Sequence, residues 1–159
     1  MTSVQWNRGW LLAVLCLGVL VMSADAADEV AFPKLPKGAG EIDADAPKTM
    51  TKTASGLKYR VLRKGSGKKP AASNMVEVNY HGWLPGGKVF DSSYRSGQSI
   101  SFPLGGVIKG WTEGMQLVGE GGMIELEIPS ELAYGKRGAG SVIPPDATLH
   151  FLVELIAVK

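Results

Sequence analysis

Val142-Ile143-Pro144-Pro145-Asp146-Ala147-Thr148-Leu149 stands directly before an apolar run that continues to Val158. Proline holds φ at about −65° and drives the preceding residue to extended backbone, so Ile143 is locked in one local shape. Loop tips are ordinarily polar and mobile. A stiff tip carrying Val142 and Ile143 therefore needs an apolar surface to meet. The run behind it supplies the scaffold: Leu149, Phe151, Val153 and Leu155 share one face at the period of a strand.

The same period recurs upstream. Met123 to Ile128 alternates, with Ile124, Leu126 and Ile128 inward and Glu125 and Glu127 outward, toward solvent. Met75 to Leu84 sets Val76, Val78 and Tyr80 against Glu77, Asn79 and His81, and Pro85-Gly86-Gly87 turns it back into Val89-Phe90 as a hairpin. Leu57 to Leu62 and Ser99 to Leu104 are two further strands. Only Lys109 to Val118 carries a helical period, with Trp111, Met115 and Val118 on one side. One short helix covers one sheet face, so the pattern predicts an α+β fold: a twisted antiparallel sheet wrapped on that helix.

Residues 1–26 have the three-part layout of a secretory signal peptide: Arg8, an apolar run from Trp10 to Met22, and Ala24-Asp25-Ala26 as a cleavage signal. The run is shorter than the roughly 20 residues that span a bilayer. The expected location is exported, periplasmic or secreted, with no stable membrane insertion after cleavage and an N-terminal anchor if the signal is retained. Cys16, the single cysteine, lies in this segment, so the processed chain has no thiol chemistry and no disulfide. Residues 27–53 are rich in Pro, Lys, Ala and Asp without a sustained period and read as a flexible spacer, on which Phe32 and Leu35 are the apolar positions. The spacer is too short and Pro-broken for a long dimerising helix, so a monomer is expected. The domain is expected over 54–159.

Removing Arg8 and Asp25 leaves 16 basic and 14 acidic residues with no concentrated basic stretch, which excludes a nucleic-acid surface. No G-x-S-x-G elbow, phosphate-binding loop or dinucleotide fingerprint occurs. His81 and His150 stand alone and read as surface strand histidines, so neither metal nor cofactor is expected. Aromatic and aliphatic residues carry more information. Tyr80, Phe90, Trp111, Tyr134 and Phe151 come from separate elements, Val107-Ile108 precedes the helix, and Phe102 reads as core. Asp91, opening Asp-Ser-Ser after Phe90, reads locally as a turn acid.

Val78-Asn79-Tyr80, Val89-Phe90-Asp91-Ser92-Ser93, Phe102-Pro103-Leu104-Gly105, Val107-Ile108-Lys109-Gly110-Trp111, Ala133-Tyr134-Gly135, Ile143-Pro144-Pro145 and Ala147-Thr148-Leu149 occur in this order. Together they resemble the FKBP-type peptidyl-prolyl cis-trans isomerases of the secreted, bacterial-style branch. The resemblance covers about Gly56 to Lys159. It implies a five- to six-stranded half-barrel with an apolar pocket between sheet and helix.

Carried over residue by residue, it assigns catalytic roles to Tyr80, Phe90, Asp91, Trp111, Tyr134 and Phe151. Substrate contacts go to Val107, Ile108, Ile143, Ile100 and Val142, with Ile100 standing where the family often has an aromatic. It implies isomerisation of X-Pro bonds in exported polypeptides, without covalent intermediate, metal or cofactor, and macrolides as inhibitors. It also turns the reading of Asp91 from turn acid to site residue. A non-catalytic chaperone or peptide-binding module would use the same pocket.

Overall fold

Alternating apolar positions pair here into one open antiparallel sheet. The computed structural model describes residues 29–159, and the signal peptide expected over 1–26 lies outside them. The strands are β1 (Thr51–Lys52), β2 (Lys58–Arg63), β3 (Met75–Trp83), β4 (Val89–Ser92), β5 (Ile100–Pro103), β6 (Met123–Ile128) and β7 (Leu149–Val158), in the order β1-β2-β6-β7-β3-β4. β5 also pairs with β3, so β4 and β5 divide one edge of that strand while β7 runs along the other. The sheet has seven strands because the short β1 adds itself outside β2, beyond the five or six expected.

The single α-helix, α1 (Lys109–Met115), packs on the inner face. Its approach is set by two glycines one turn apart. A Cβ on Gly114 would lie 2.6 Å from a methyl of Leu126, and one on Gly110 would collide with Ile128. With no side chains there, the helix settles onto β6, and Trp111, Met115 and Val118 join Val76, Val78, Ile124, Leu126, Phe151 and Val153 in one buried cluster. The Pro-Pro loop packs into the same core. Ile143 is 8 % exposed, bridges to Ala139 through paired backbone hydrogen bonds of 3.0 and 3.1 Å, and leaves Val142 at the surface. Asp146 takes φ +56°, a left-handed position that aspartate tolerates, and its N–H donates to the Gly135 carbonyl at 2.9 Å.

The outer face departs from expectation. Residues 29–50 lie across it rather than forming a loose spacer, and Leu35, Ala39 and Ile42 pack on Leu62, Met123, Leu152 and Trp83. Arg60 fastens the start of this arm. Its Nε donates to Glu125 at 2.6 Å, Nη1 to the Val30 and Lys48 carbonyls, and Nη2 to the Ala31 carbonyl, with the guanidinium 4.8 Å from the Phe32 ring centroid. Glu125 points outward as read, but the arm covers it: the Arg60–Glu125 pair is 0 and 8 % exposed. Burial pushes the Glu125 carboxyl up, and Arg60 opposes that shift. A second tie fixes Gly40, whose N–H donates to Glu154 together with Tyr94 and Arg63. Burial alone would push the Glu154 carboxyl up; these hydrogen bonds outweigh it and hold it below its ordinary value.

Neither histidine stands alone. Trp83 lies between them, stacked on His150 at 5.6 Å and tilted against His81 at 5.8 Å. Burial holds both imidazoles below their ordinary value, with Arg95 adding to the effect on His81.

Two outcomes follow from the outer face. Arg60→Ala leaves the Glu125 carboxylate buried without its partner, so urea denaturation should show a loss of about 3 kcal/mol, with hydrogen exchange rising over residues 29–50. A histidine with a depressed folded pKa binds protons more readily in the unfolded chain, so stability is present above the ordinary value of 6.5 and falls as pH drops below it. Denaturation midpoints measured through this window should fall less steeply in His150→Gln than in the parent chain.

Candidate active site

Alternation along β3 aims Tyr80 inward, and the next inward position is Gly82. A Cβ at Gly82 would come within 2.7 Å of the Phe90 ring and 2.8 Å of the Phe151 ring. Its absence lets Phe90 from β4 and Phe151 from β7 meet edge to face over the strand, centroids 5.4 Å apart. Trp111 rises from α1 against them: it lies 5.2 Å from Phe151 and 5.5 Å from both Tyr80 and Phe102. These rings enclose a cavity of about 440 Å³, with Val107 and Ile108 on the helix side and Ile100, Tyr134 and Asp91 at other points of the lining.

The polar groups are few and placed. Tyr80 donates its hydroxyl to Asp91 Oδ2 at 2.5 Å, and the Ser92 N–H donates to Asp91 Oδ1 at 2.8 Å. Ser93 Oγ accepts the Tyr80 N–H at 2.9 Å, so the Asp-Ser-Ser segment ties β4 to β3 at the cavity edge. Burial pushes the Tyr80 phenol well above its ordinary value, and the Asp91 carboxylate adds to it, so this proton stays on Tyr80. The Trp111 indole N–H, buried in the lining, is the one such side-chain atom among the described residues without a hydrogen-bond partner. Among the described residues the Ile108 N–H donates to no acceptor, while its carbonyl receives the Trp111 and Thr112 N–H groups at the start of α1.

Nine of the eleven residues singled out from the sequence line this cavity: Tyr80, Phe90, Asp91, Ile100, Val107, Ile108, Trp111, Tyr134 and Phe151. Val142 and Ile143 do not. Ile143 faces the core, and Val142 is 43 % exposed. Phe102, which reads as core in the sequence, also lines the cavity, as does Gly106 of the two-glycine link before Val107. Gly82 shapes the cavity without a side chain; a glycine inside an alternating strand was the available signal for close approach.

Fold and cavity together define a small α+β domain with an apolar-lined cavity between a curved sheet and a short helix. Residues 66–156 match the family described as FKBP-type peptidyl-prolyl cis-trans isomerase, and the chain belongs to that family. It is 49 % identical over 139 residues to the FKBP-type peptidyl-prolyl cis-trans isomerase FkpA of Escherichia coli, a match covering 87 % of this chain and 49 % of that protein. The crystal structure of FkpA from Escherichia coli superposes with a TM-score of 0.69 at 50 % identity, over 71 % of this chain and 53 % of that one. The crystal structure of AtFKBP13 gives 0.64 at 36 % identity, over 69 and 98 %. The chain spans about half the length of the first curated relatives it matches.

Gly82→Val tests how the cavity is built. The added methyls force Phe90 and Phe151 apart and should cost about 1–3 kcal/mol in denaturant unfolding. The aromatic ring-proton shifts of both phenylalanines should move with it.

Proposed function

We propose that this protein is a peptidyl-prolyl cis-trans isomerase that accelerates X-Pro isomerisation in exported polypeptides. The observation that carries this is the aromatic cavity: Trp111 as floor, Tyr80, Phe90 and Phe151 as walls, and a carboxylate at the rim, in a chain of this family.

Rotation about a peptide bond costs about 18–20 kcal/mol because it breaks amide resonance. The tertiary X-Pro amide still isomerises over roughly tens to hundreds of seconds, slow enough to limit folding. The twisted amide has lost resonance and its carbonyl is less polar than the planar one. A desolvated site built from rings therefore disfavours the planar form relative to the twisted one, and each factor of ten in rate requires about 1.4 kcal/mol of that difference.

The residues divide this work. Trp111 lies under the proline ring, with Phe102 widening the apolar floor. The Ile108 N–H and the Tyr134 hydroxyl donate to substrate carbonyls. Tyr80 is held by Asp91, so its ring is fixed as a wall, and the Asp91 charge sits where the rotating carbonyl passes. Ile100 keeps its side of the wall aliphatic, and Val142, exposed on the Pro-Pro loop, contacts the substrate chain outside the cavity. Ile143 contributes by holding that loop rather than by touching substrate. Residues 1–26 direct export, and the processed protein acts in the periplasm or outside the cell as a monomer. No helix among the described residues is long and apolar enough to cross a membrane.

A protease-coupled or direct assay on an X-Pro peptide tests the proposal. Asp91→Ala should lower kcat/KM by roughly tenfold, and Trp111→Leu by more, with circular dichroism unchanged. A macrolide that fills the cavity should compete with the peptide. Parent-level turnover in both variants would refute the assignment. Suppression of aggregation without measurable turnover in the parent would leave a binding module in its place.

A further inference from the structure

A second cavity, of about 460 Å³, lies on the opposite face of the same strands. His81 and Trp83 alternate outward from Tyr80 and Gly82, and Val89 precedes the inner-lining Phe90. Its other wall is the arm at residues 33–37, which precedes the strands that build the first cavity. It shares no lining residue with the aromatic cavity.

The lining specifies a guest. Pro33, Leu35, Pro36, Trp83 and Val89 make the interior apolar, and Trp83, backed by its stack on His150, presents an aromatic surface to it. The charged side chains of the lining have one sign. Lys34 and Lys37 line the cavity, and Lys88 stands exposed between two lining residues. Arg95 acts on His81 across the hairpin. None of the lining residues is a carboxylate. A cavity of this size accepts one or two large side chains rather than a domain. The cationic edge favours carboxylates beside them.

The geometry points to a second polypeptide-binding site, which takes an aliphatic or aromatic side chain flanked by acidic residues. Resting on the isomerase reading, the segment belongs to the same unfolded clients whose X-Pro bonds enter the inner cavity. β4 ends the strand order, and it supplies Val89 to one cavity and Phe90 to the other. A client held outside thus returns to the inner cavity at a raised effective concentration.

The test uses the full processed chain and a proline-free peptide, Glu-Glu-Leu-Phe-Glu-Glu, followed by two-dimensional NMR. A peptide without proline separates this site from the isomerase proposal, which stands or falls on turnover. Saturable shifts are expected at the Trp83 indole, at the Val89 amide and along residues 33–37, with the Trp111 indole unmoved. Both lysines lining the cavity are exposed, so the double variant Lys34→Glu, Lys37→Glu keeps the fold and should weaken binding by about tenfold. A Lys-Lys-Leu-Phe-Lys-Lys peptide should not bind. Shifts confined to the Trp111 indole, equal binding of the acidic and basic peptides, or unchanged affinity in the double variant would each overturn the site.

Discussion

The seating of α1 on β6 is the constraint from which the rest of the inner face follows. Gly110 and Gly114 face Ile128 and Leu126, and any side chain at either position would lift the helix. Glycine inside a helix costs about 1 kcal/mol against alanine, so the pair is retained against its local propensity. What it secures is depth. A helix held at this height puts Trp111 within edge-to-face distance of Tyr80 and Phe151. A raised helix would part these rings and take away the apolar floor on which the proposed isomerisation depends.

β3 distributes chemistry to two faces by strand period alone. Its inward residues, Val76, Val78 and Tyr80, pass from core to cavity wall, and Gly82 completes that wall by adding nothing. Its outward residues, His81 and Trp83, meet the arm and the second cavity. A one-residue slip against β7 would exchange the two sets. Eight paired positions between β3 and β7, from Val76↔Val158 to Trp83↔His150, make that slip costly, because every inward apolar residue would turn outward at once.

Legibility in the sequence followed the range of each signal. Met123–Ile128 is legible to the residue because strict alternation is local, whereas the helix expected over Lys109 to Val118 ends at Met115, although Trp111, Met115 and Val118 are all buried as their spacing implies. Most cavity residues were legible through the ordered motifs. The outer face was not. Arg60 reads as one more strand cation, and nothing near it announces that three carbonyls from residues 30, 31 and 48 will converge on its guanidinium. Backbone acceptors carry no sequence signature, so a Pro- and Lys-rich arm looks unstructured until the surface that satisfies it is known. Ile143 was misplaced for the opposite reason. Its rigidity was read correctly, but rigidity marks a need for an apolar partner without saying whether core or guest supplies it.

The cavity's polar groups are few, and each is set by the structure around it. Asp91 is engaged by Tyr80 and by the Ser92 N–H, so its charge is fixed in place. The Trp111 indole N–H is different: it is buried and unpartnered, packed among the rings of Tyr80, Phe102 and Phe151. Leaving such a donor unsatisfied costs about 1–3 kcal/mol. Removing Trp111 to avoid that cost would also remove the largest apolar surface in the cavity, so the penalty is tied to the desolvation itself.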